Sequence, residues 1–257
     1  MCMNIRKIIA ALTLPVLICG CASKFEVAGV QKERILIDNR YDVVVDKSVS
    51  HMLAPYRSKV DSMMSPVVGK LAKNIKAYRP ESELSNLLAD ILVWAGKRYG
   101  EDPVLGVYNM GGMRASLTAG DVAYGNILEV APFENKICFL TLKGEHLLML
   151  FREMAEVGGE GVSSGVRLVI TSDGKLKSVK LHGKDIDPMG DYRIATIDYL
   201  AEGNDGLGAF KLKKHVNAPR EKSNDSRFVI TSYFQEMMKQ GRVVDANVEG
   251  RITLEEK

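Results

Sequence analysis

Directly after the apolar segment 104–108, the chain reads Asn109-Met110-Gly111-Gly112-Met113-Arg114. Two adjacent glycines let the backbone of a turn approach a ligand closely, because neither carries a Cβ atom. The arginine on the far side of the turn offers a planar set of donors that suits a phosphate or a carboxylate. Taken alone, the pattern is also that of an ordinary turn beside a strand, so its meaning depends on the rest of the chain.

Three further segments carry side chains suited to binding. They read Pro132-Phe133-Glu134-Asn135, Ser164-Gly165 and Tyr199-Leu200-Ala201-Glu202-Gly203-Asn204-Asp205-Gly206. With the turn above, this ordered set resembles the C-terminal domain of the 5′-nucleotidase family, the periplasmic and ecto-5′-nucleotidases. Upstream segments fit the same family: Tyr56-Arg57, Asp61, Gly69-Lys70 and Glu83-Leu84-Ser85-Asn86-Leu87-Leu88-Ala89-Asp90. The resemblance covers roughly residues 51–254.

The resemblance implies a nucleotide-binding site, carried over position by position. Phe133 and Tyr199 would hold the base between their rings, since every base has a face that stacks on an aromatic ring. Asn135 would meet the base edge, and Asp205 would accept hydrogen bonds from the ribose hydroxyls. The other matched positions would reach the phosphates or let the backbone approach the ligand: Arg57, Asn109, Gly111, Gly112, Arg114 and Gly165.

Three positions depart from the family's pattern. Tyr199 stands where phenylalanine is usual, which keeps the stacking face and adds a polar tip. Ser85 replaces a glycine. Asp61 stands where some members have a further arginine, so the grip on phosphate is expected to be weaker.

In that family the chemistry belongs to an N-terminal metallophosphatase domain, where paired metal ions activate water. None of the histidines lies in an Asp-x-His or Gly-Asn-His setting: His51, His146, His182 and His215. We therefore expect no catalytic residue, metal site or cofactor in this chain and no turnover by it alone. Divalent metals are expected only in a partner metallophosphatase.

A rival motif lies in the glycine-rich segment. Gly161-Val162-Ser163-Ser164-Gly165 matches G-x-S-x-G, the nucleophile turn of α/β-hydrolases. That turn requires a strand before the serine and a helix after it. Here a predicted helix precedes the motif and a predicted strand follows it, so a serine hydrolase is disfavoured.

The composition is that of a chain with a sizeable core, with 46% hydrophobic and 26% charged residues. Apolar periodicity predicts helices at 51–64, from 83 onward, at 145–157 and at 227–240, and strands at 67–78, 104–108, 137–142, 166–170, 176–181, 192–197 and 251–254. These elements do not alternate strictly, which favours the α+β class. We predict a single compact mixed α/β domain at 51–257, with layered sheets flanked by helices as in the C-terminal domain of 5′-nucleotidases.

The N-terminus predicts export. Arg6 and Lys7 precede an apolar run that ends Leu17-Ile18-Cys19-Gly20-Cys21, which resembles the bacterial lipoprotein cleavage box. Residues 1–20 are thus predicted to be a signal peptide, with Cys21 lipidated and the chain anchored to a bacterial membrane on its periplasmic or cell-surface face. An ordinary secretory signal is the alternative.

The mature chain would then begin with a tether and N-terminal extension at 21–50, where Ile35, Ile37, Val43 and Val45 alternate as in short strands. With Cys21 lipidated, Cys138 would be the remaining cysteine of the mature chain, which excludes an internal disulfide. It lies in an apolar run and is predicted to be buried.

The charges are nearly balanced, with 35 Lys and Arg residues against 32 Asp and Glu residues. A nucleic-acid-binding protein would show a clustered basic excess, so that class is disfavoured. Three functions fit the resemblance. The first is the nucleotide-recognition component of a split 5′-nucleotidase, with a separately encoded metallophosphatase as partner. The second is a stand-alone nucleotide- or nucleoside-binding lipoprotein, and the third is a domain whose cleft is no longer used.

Overall fold

The computed structural model describes residues 28–41 and 46–255. The chain divides into two units between His51 and Met52. Residues 28–41 contain one 3-10 turn, Asn39–Tyr41, and no strand. The prediction of short strands is therefore wrong for Ile35 and Ile37, which are 62% and 84% exposed. An alternating pattern forms a strand only where a neighbouring strand or an apolar layer covers it.

The remaining predictions for the N-terminus lie outside the described residues: Val43, Val45, the signal peptide at 1–20 and the lipidated Cys21.

The described residues contain ten strands and six α-helices. The strands are Val67–Leu71 (β1), Leu105–Tyr108 (β2), Gly120–Ala123 (β3), Ile137–Lys143 (β4), Gly161–Val162 (β5), Val166–Ile170 (β6), Leu176–Leu181 (β7), Asp191–Ile197 (β8), Lys214–Asn217 (β9) and Ile252–Leu254 (β10). The helices are Lys47–Met64 (α1), Glu83–Ala95 (α2), Tyr124–Val130 (α3), Gly144–Glu156 (α4), Asp198–Ala201 (α5) and Ser226–Lys239 (α6). Strands and helices mix without regular alternation, which confirms the predicted α+β class.

The central sheet has five strands in the order β5-β2-β8-β4-β9. β2 and β8 are parallel, with Leu105 opposite Ile194, whereas β4 runs antiparallel to β8, with Ile137 opposite Ile197. The ends of β2 and β8 and the beginning of β4 therefore lie at one edge of the sheet. The segments that follow β2 and β8, and the segment that precedes β4, meet at that edge.

Two smaller sheets complete the β-structure. β1 pairs with β3 antiparallel, and the other sheet has the order β10-β6-β7. β6 and β7 form an antiparallel hairpin, while β10 is parallel to β6.

α2 packs directly on the central sheet. Its first turn is a capping box, in which Ser82 Oγ accepts from the Ser85 backbone N–H at 3.1 Å and Ser85 Oγ accepts from the Ser82 N–H at 3.0 Å. The helix approaches β2 so closely that a Cβ atom at Gly106 would lie 2.3 Å from the carbonyl oxygen of Ala89. The apolar side chains spaced by three and four are buried as predicted: Leu84, Leu87, Leu88, Ile91, Leu92 and Ala95.

Several boundaries differ from those predicted. α1 begins at Lys47 rather than at 51, because Asp46 Oδ1 accepts from the backbone N–H groups of Ser48 and Val49 and caps the helix. The strand predicted at 67–78 ends at Leu71. β3, β5, β9, α3 and α5 were not predicted; each is between two and seven residues long and too short to show a period of its own.

Cys138 is 1% exposed, which confirms its predicted burial. Burial raises the pKa of its thiol to about 11, so the thiolate that would react is not formed near neutral pH. Within residues 28–41 and 46–255, no helix combines the length and the apolar character that crossing a bilayer requires.

Candidate functional site

A cleft of about 380 Å³ opens at the sheet edge where β2 and β8 end and β4 begins. This volume is within the range of small-molecule sites. Eight side chains or backbones line it, and all eight were predicted as site residues: Asn109, Gly111, Gly112, Arg114, Phe133, Asn135, Tyr199 and Asp205. Three separate stretches of sequence supply them because the sheet topology brings those stretches together.

The two predicted stacking rings share this cleft. Phe133 precedes β4 and is 46% exposed, and Tyr199 lies in α5 and is 39% exposed. Both rings are therefore accessible to a ligand in the cleft. Among the ring pairs in contact within the described chain, this pair does not occur, so the rings do not fill the cleft by packing on each other.

Asp205 is held from two sides. The Tyr199 hydroxyl donates to Oδ1 at 2.8 Å, and the Asn109 amide donates to Oδ2 at 2.6 Å. The hydrogen bond to Asp205 and the negative charge of its carboxylate raise the pKa of the Tyr199 phenol. Each carboxylate oxygen has a further lone pair, so Asp205 can still accept hydrogen bonds from a ligand.

The turn after β2 has room for Asn109 only because glycine follows. A Cβ atom at Gly112 would lie 2.5 Å from Asn109 Oδ1, whereas one at Gly111 would meet nothing closer than Asp205 Oδ2 at 3.5 Å. Asn109 is 3% exposed, and its Oδ1 is buried without a hydrogen-bond partner in the described structure. Gly112 is therefore required by the packing of the turn itself.

A buried carboxylate lies beneath this turn. Glu160 is 1% exposed and accepts from the Met110 backbone N–H and, at 2.6 Å, from Arg79 Nη2. Burial raises the pKa of Glu160 to about 7; the Met110 N–H and the Arg79 charge lower it, and the nearby Asp205 charge raises it. Sequence reasoning missed Glu160 and Arg79, since a lone glutamate in a glycine-rich segment carries no local signal of burial.

Arg114 supplies positive charge at the cleft. It is exposed, and its Nη1 donates to the Gly111 carbonyl at 3.4 Å. None of the ion pairs within the described chain involves its guanidinium. A guanidinium without a carboxylate partner is suited to an anionic group of a ligand.

Two predicted site residues lie elsewhere. Arg57 is on α1, a helix with no buried residue, and does not line the cleft. The prediction for Gly165 was that it lets the backbone approach a ligand. Instead, Gly165 has φ +92° and lies against His182, whose Cε1 would be 2.4 Å from a Cβ atom there. It is glycine because of this contact and its left-handed conformation.

The serine of the rival motif is structural. Ser163 is 3% exposed, and its Oγ accepts from the Gly106 backbone N–H at 2.8 Å. The motif runs from β5 into β6. In a nucleophile turn, a helix would follow the serine instead of a strand. In the part of the chain that the structure describes, no three His, Cys, Asp or Glu side chains group closely enough to hold a metal ion.

Residues 67–212 match the model of the family described as "5′-nucleotidase, C-terminal domain". Among curated proteins, the chain is 30% identical to Protein UshA of Yersinia enterocolitica over 190 residues, which cover 71% of this chain and 34% of that protein. It is 27% identical to a 5′-nucleotidase of Vibrio parahaemolyticus, over 71% of this chain and 33% of that protein. The chain thus spans about a third of the length of these relatives.

Solved structures share the fold. The 5′-nucleotidase precursor of Thermus thermophilus matches 80% of this chain and 43% of its own, with a TM-score of 0.69 and 24% identity. The NAD nucleotidase of Haemophilus influenzae matches 81% of this chain and 41% of its own, with a TM-score of 0.58 and 20% identity.

Proposed function

The chain belongs to the family of 5′-nucleotidase C-terminal domains, and from this premise we propose that it is the nucleotide-recognition component of a split 5′-nucleotidase. A separately encoded metallophosphatase supplies the catalysis, in which water attacks phosphorus, the bond to the 5′ oxygen breaks, and nucleoside and inorganic phosphate leave. The observation that carries the proposal is the cleft in which Phe133, Tyr199 and Arg114 come together.

The ligand is proposed to lie with its base between Phe133 and Tyr199. Stacking stabilises such a complex by about 1–3 kcal/mol per base. Asn135 offers a donor and an acceptor to the base edge, Asp205 accepts from the ribose hydroxyls, and the guanidinium of Arg114 holds the phosphate. Gly111 leaves room for the ligand beside Asp205, since a Cβ atom there would have only Asp205 Oδ2, at 3.5 Å, and Asn109 Nδ2, at 3.8 Å, within 4 Å among residues other than its chain neighbours.

The metallophosphatase is proposed to dock on α1. No residue of this helix is buried, and six large apolar side chains are 42–68% exposed: Val49, Met52, Leu53, Tyr56, Val60 and Met63. At about 100° per residue, all six fall on one side of the helix. An exposed apolar stripe of this kind marks an interaction surface.

The place of α1 in the chain supports this choice of occupant. The family match is to a C-terminal domain and begins at residue 67, just after α1 ends. In the longer relatives, the unmatched part of the protein therefore leads into this position. A partner that stands in for that part would meet α1.

The cellular setting follows from the predicted N-terminus. We propose that the chain is exported and anchored through a lipidated Cys21 to a bacterial membrane. If this chain and the metallophosphatase are anchored to the same membrane surface, their effective concentration rises. A weak interface between the two proteins then suffices to form the complex.

Calorimetry with adenosine 5′-monophosphate on the wild-type chain tests recognition. Phe133→Ala should weaken binding roughly 5- to 150-fold, which corresponds to about 1–3 kcal/mol of lost stacking. Tyr78→Ala is the control, since Tyr78 is as exposed as Tyr199 but lies outside the cleft. Arg114→Gln should reduce affinity for the monophosphate and leave affinity for adenosine unchanged. Equal binding by wild type and Phe133→Ala would contradict the proposal.

Mixing the chain with a metallophosphatase encoded beside it tests the split arrangement. Hydrolysis of adenosine monophosphate should rise with the amount of wild-type chain and should not rise with Leu53→Glu/Tyr56→Glu. Ser58→Glu, on the opposite side of α1, should behave as wild type. Binding of the unlipidated chain to phosphatidylglycerol vesicles through the same two residues would assign the stripe to a membrane instead.

A stand-alone binding lipoprotein is the second candidate. It is favoured by one observation, namely that the cleft already combines aromatic rings, amides, a carboxylate and a guanidinium, one group for each part of a nucleotide. Tight nucleotide binding with no gain in hydrolysis at any ratio of the candidate partner would support this reading.

A further inference from the structure

The turn Met110–Gly112 begins at an unusual cap. Asn109 occupies the N-cap position, where an asparagine side chain ordinarily accepts a hydrogen bond from the backbone N–H groups of the turn. Here the Asn109 side chain makes no such bond. Its amide instead donates to Asp205 Oδ2 at 2.6 Å, across the cleft edge.

Glu160 accepts from the first N–H group of this turn, that of Met110. It directly precedes β5, whose Gly161 pairs with Tyr108 at the end of β2, so its carboxylate reaches the beginning of the turn. One oxygen accepts from the Met110 N–H, and the other is paired with Arg79, which also donates to the Gly159 carbonyl. A carboxylate that is 1% exposed is costly to bury unless such partners compensate it.

We infer that Glu160 is a positioning residue of the nucleotide cleft, which fixes the beginning of the turn after β2 through the Met110 N–H and thereby holds the adjacent Asn109 where it orients Asp205. This inference rests on the proposed function, because the effect of Glu160 is measured as a change in the affinity of the chain for a nucleotide. Without the carboxylate, the Met110 N–H lacks its acceptor, so the turn and the Asn109 side chain next to it are held less firmly. Asp205 then loses one of its two side-chain donors and is less well ordered for the ribose.

The charges that face Glu160 give a second readout. Arg79 and the Met110 N–H favour the ionised carboxylate, whereas burial and the Asp205 charge disfavour it. The Glu160 carboxylate therefore becomes protonated near neutral pH, and its protonation weakens both the pair with Arg79 and the hydrogen bond from the Met110 N–H. Nucleotide affinity of the wild type should decrease as the pH falls below about 7, in excess of any decrease seen in Glu160→Gln.

The test is calorimetry with adenosine 5′-monophosphate at pH 8 and pH 6, on the full chain. Glu160→Gln should bind roughly three- to tenfold more weakly at pH 8, the size expected for losing one ordinary hydrogen bond, because the effect reaches the ligand only through Asn109 and Asp205. Glu101→Gln is the matched control, because this carboxylate is also paired with an arginine, Arg193 at 2.7 Å, but near the start of β2 rather than its end. It should bind as wild type. Glu160→Asp, which keeps the charge but shortens the reach, should also weaken binding and serves if the glutamine variant does not fold.

A double-mutant cycle with Asn109→Ala separates positioning from general support of the fold. If Glu160 acts through Asn109, the double variant should bind no more weakly than Asn109→Ala alone. Additive losses, or wild-type affinity in Glu160→Gln, would overturn the inference while leaving the proposed function intact. No binding by the wild-type chain would overturn the proposed function and this inference together.

Discussion

Asp205 shows how single residues shape the cleft. Its backbone has φ 55°, in the left-handed region, and glycines at 203 and 206 with φ 80° and 79° flank it in a tight turn. That turn presents the carboxylate to Tyr199 and Asn109, so three side chains from two distant stretches form one hydrogen-bonded set. The side chains are thereby ordered before a ligand arrives, which reduces the entropy lost on binding.

Tyr199 offers a clean test of this set. Tyr199→Phe retains the stacking face but removes the hydroxyl that donates to Asp205, so affinity for adenosine monophosphate should fall by about 0.5–1.5 kcal/mol. Tyr199→Ala should cost more, since the stacking face goes as well. Isothermal titration of both variants measures the difference, and Tyr192→Phe, whose hydroxyl bonds the Asp187 backbone outside the cleft, is the control. A phenylalanine variant with wild-type affinity would exclude the hydroxyl from any role.

All eight lining residues could be predicted from the sequence because the order of their residue types along the chain is informative. Aromatic, amide, acid and arginine positions keep their chemistry wherever the fold places them. Arg57 and Gly165 do not line the cleft. A motif match does not show whether a helix such as α1 lies beside the cleft, and it does not show whether a glycine is needed for a ligand or for packing. Glu160 was missed because its role depends on β5 pairing with β2, a contact between residues far apart in sequence.

At the scale of elements, α2, β5 and β10 are joined by one buried arginine. Arg251 directly precedes β10, is 2% exposed and pairs with Asp90 of α2 through two hydrogen bonds, at 2.7 and 2.9 Å. It also donates to the Val162 carbonyl of β5 at 2.8 Å. Asp90 in turn accepts from the Ser164 backbone N–H at 2.7 Å. This explains why an aspartate ends the motif of α2.

Arg251→Ala should therefore destabilise the fold far more than loss of a surface pair. Breaking a fully buried pair costs about 3–5 kcal/mol; here Arg251 is buried but the Asp90 side chain is 40% exposed, so the loss should lie at the lower end of that range. Lys180→Ala, which removes an exposed pair with Asp185 at 2.7 Å, should cost less than about 1 kcal/mol. Urea unfolding followed by circular dichroism compares the two, and similar midpoints would contradict the argument.

Long, strongly periodic elements were predictable, and short ones were not. α2, α4, α6 and the hairpin of β6 and β7 follow from apolar spacing and from the turn at Ser172-Asp173-Gly174. α3 and β3 carry no such signal, because a few residues can be held in place by neighbours alone. The end of β1 was placed too late because residues beyond Leu71 remain partly apolar without pairing continuously; Ile75 makes only an isolated bridge with Leu117.

For the whole molecule, the burial of Glu160 predicts a pH-dependent stability. Its pKa is raised from 4.5 to about 7 on folding, so the folded state binds more protons than the unfolded state between these values. The free energy of unfolding of the wild type, relative to Glu160→Gln, should then decrease as the pH rises through this window, by on the order of 1–3 kcal/mol. Urea titrations of both proteins at pH 5, 6, 7 and 8 measure it. A difference that stays constant with pH would show that the carboxyl titrates normally.

Because β2 and β8 are parallel and far apart in sequence, we expect the cleft between their ends to form late in folding. Strands so far apart along the chain meet only after much of the intervening polypeptide has been arranged, and closing such long loops is slow. Before β2 and β8 pair, we expect the chain not to bind a nucleotide. Nucleotide binding would therefore report that folding is complete, and a saturating nucleotide would protect folded molecules, but not partly folded ones, from proteolysis.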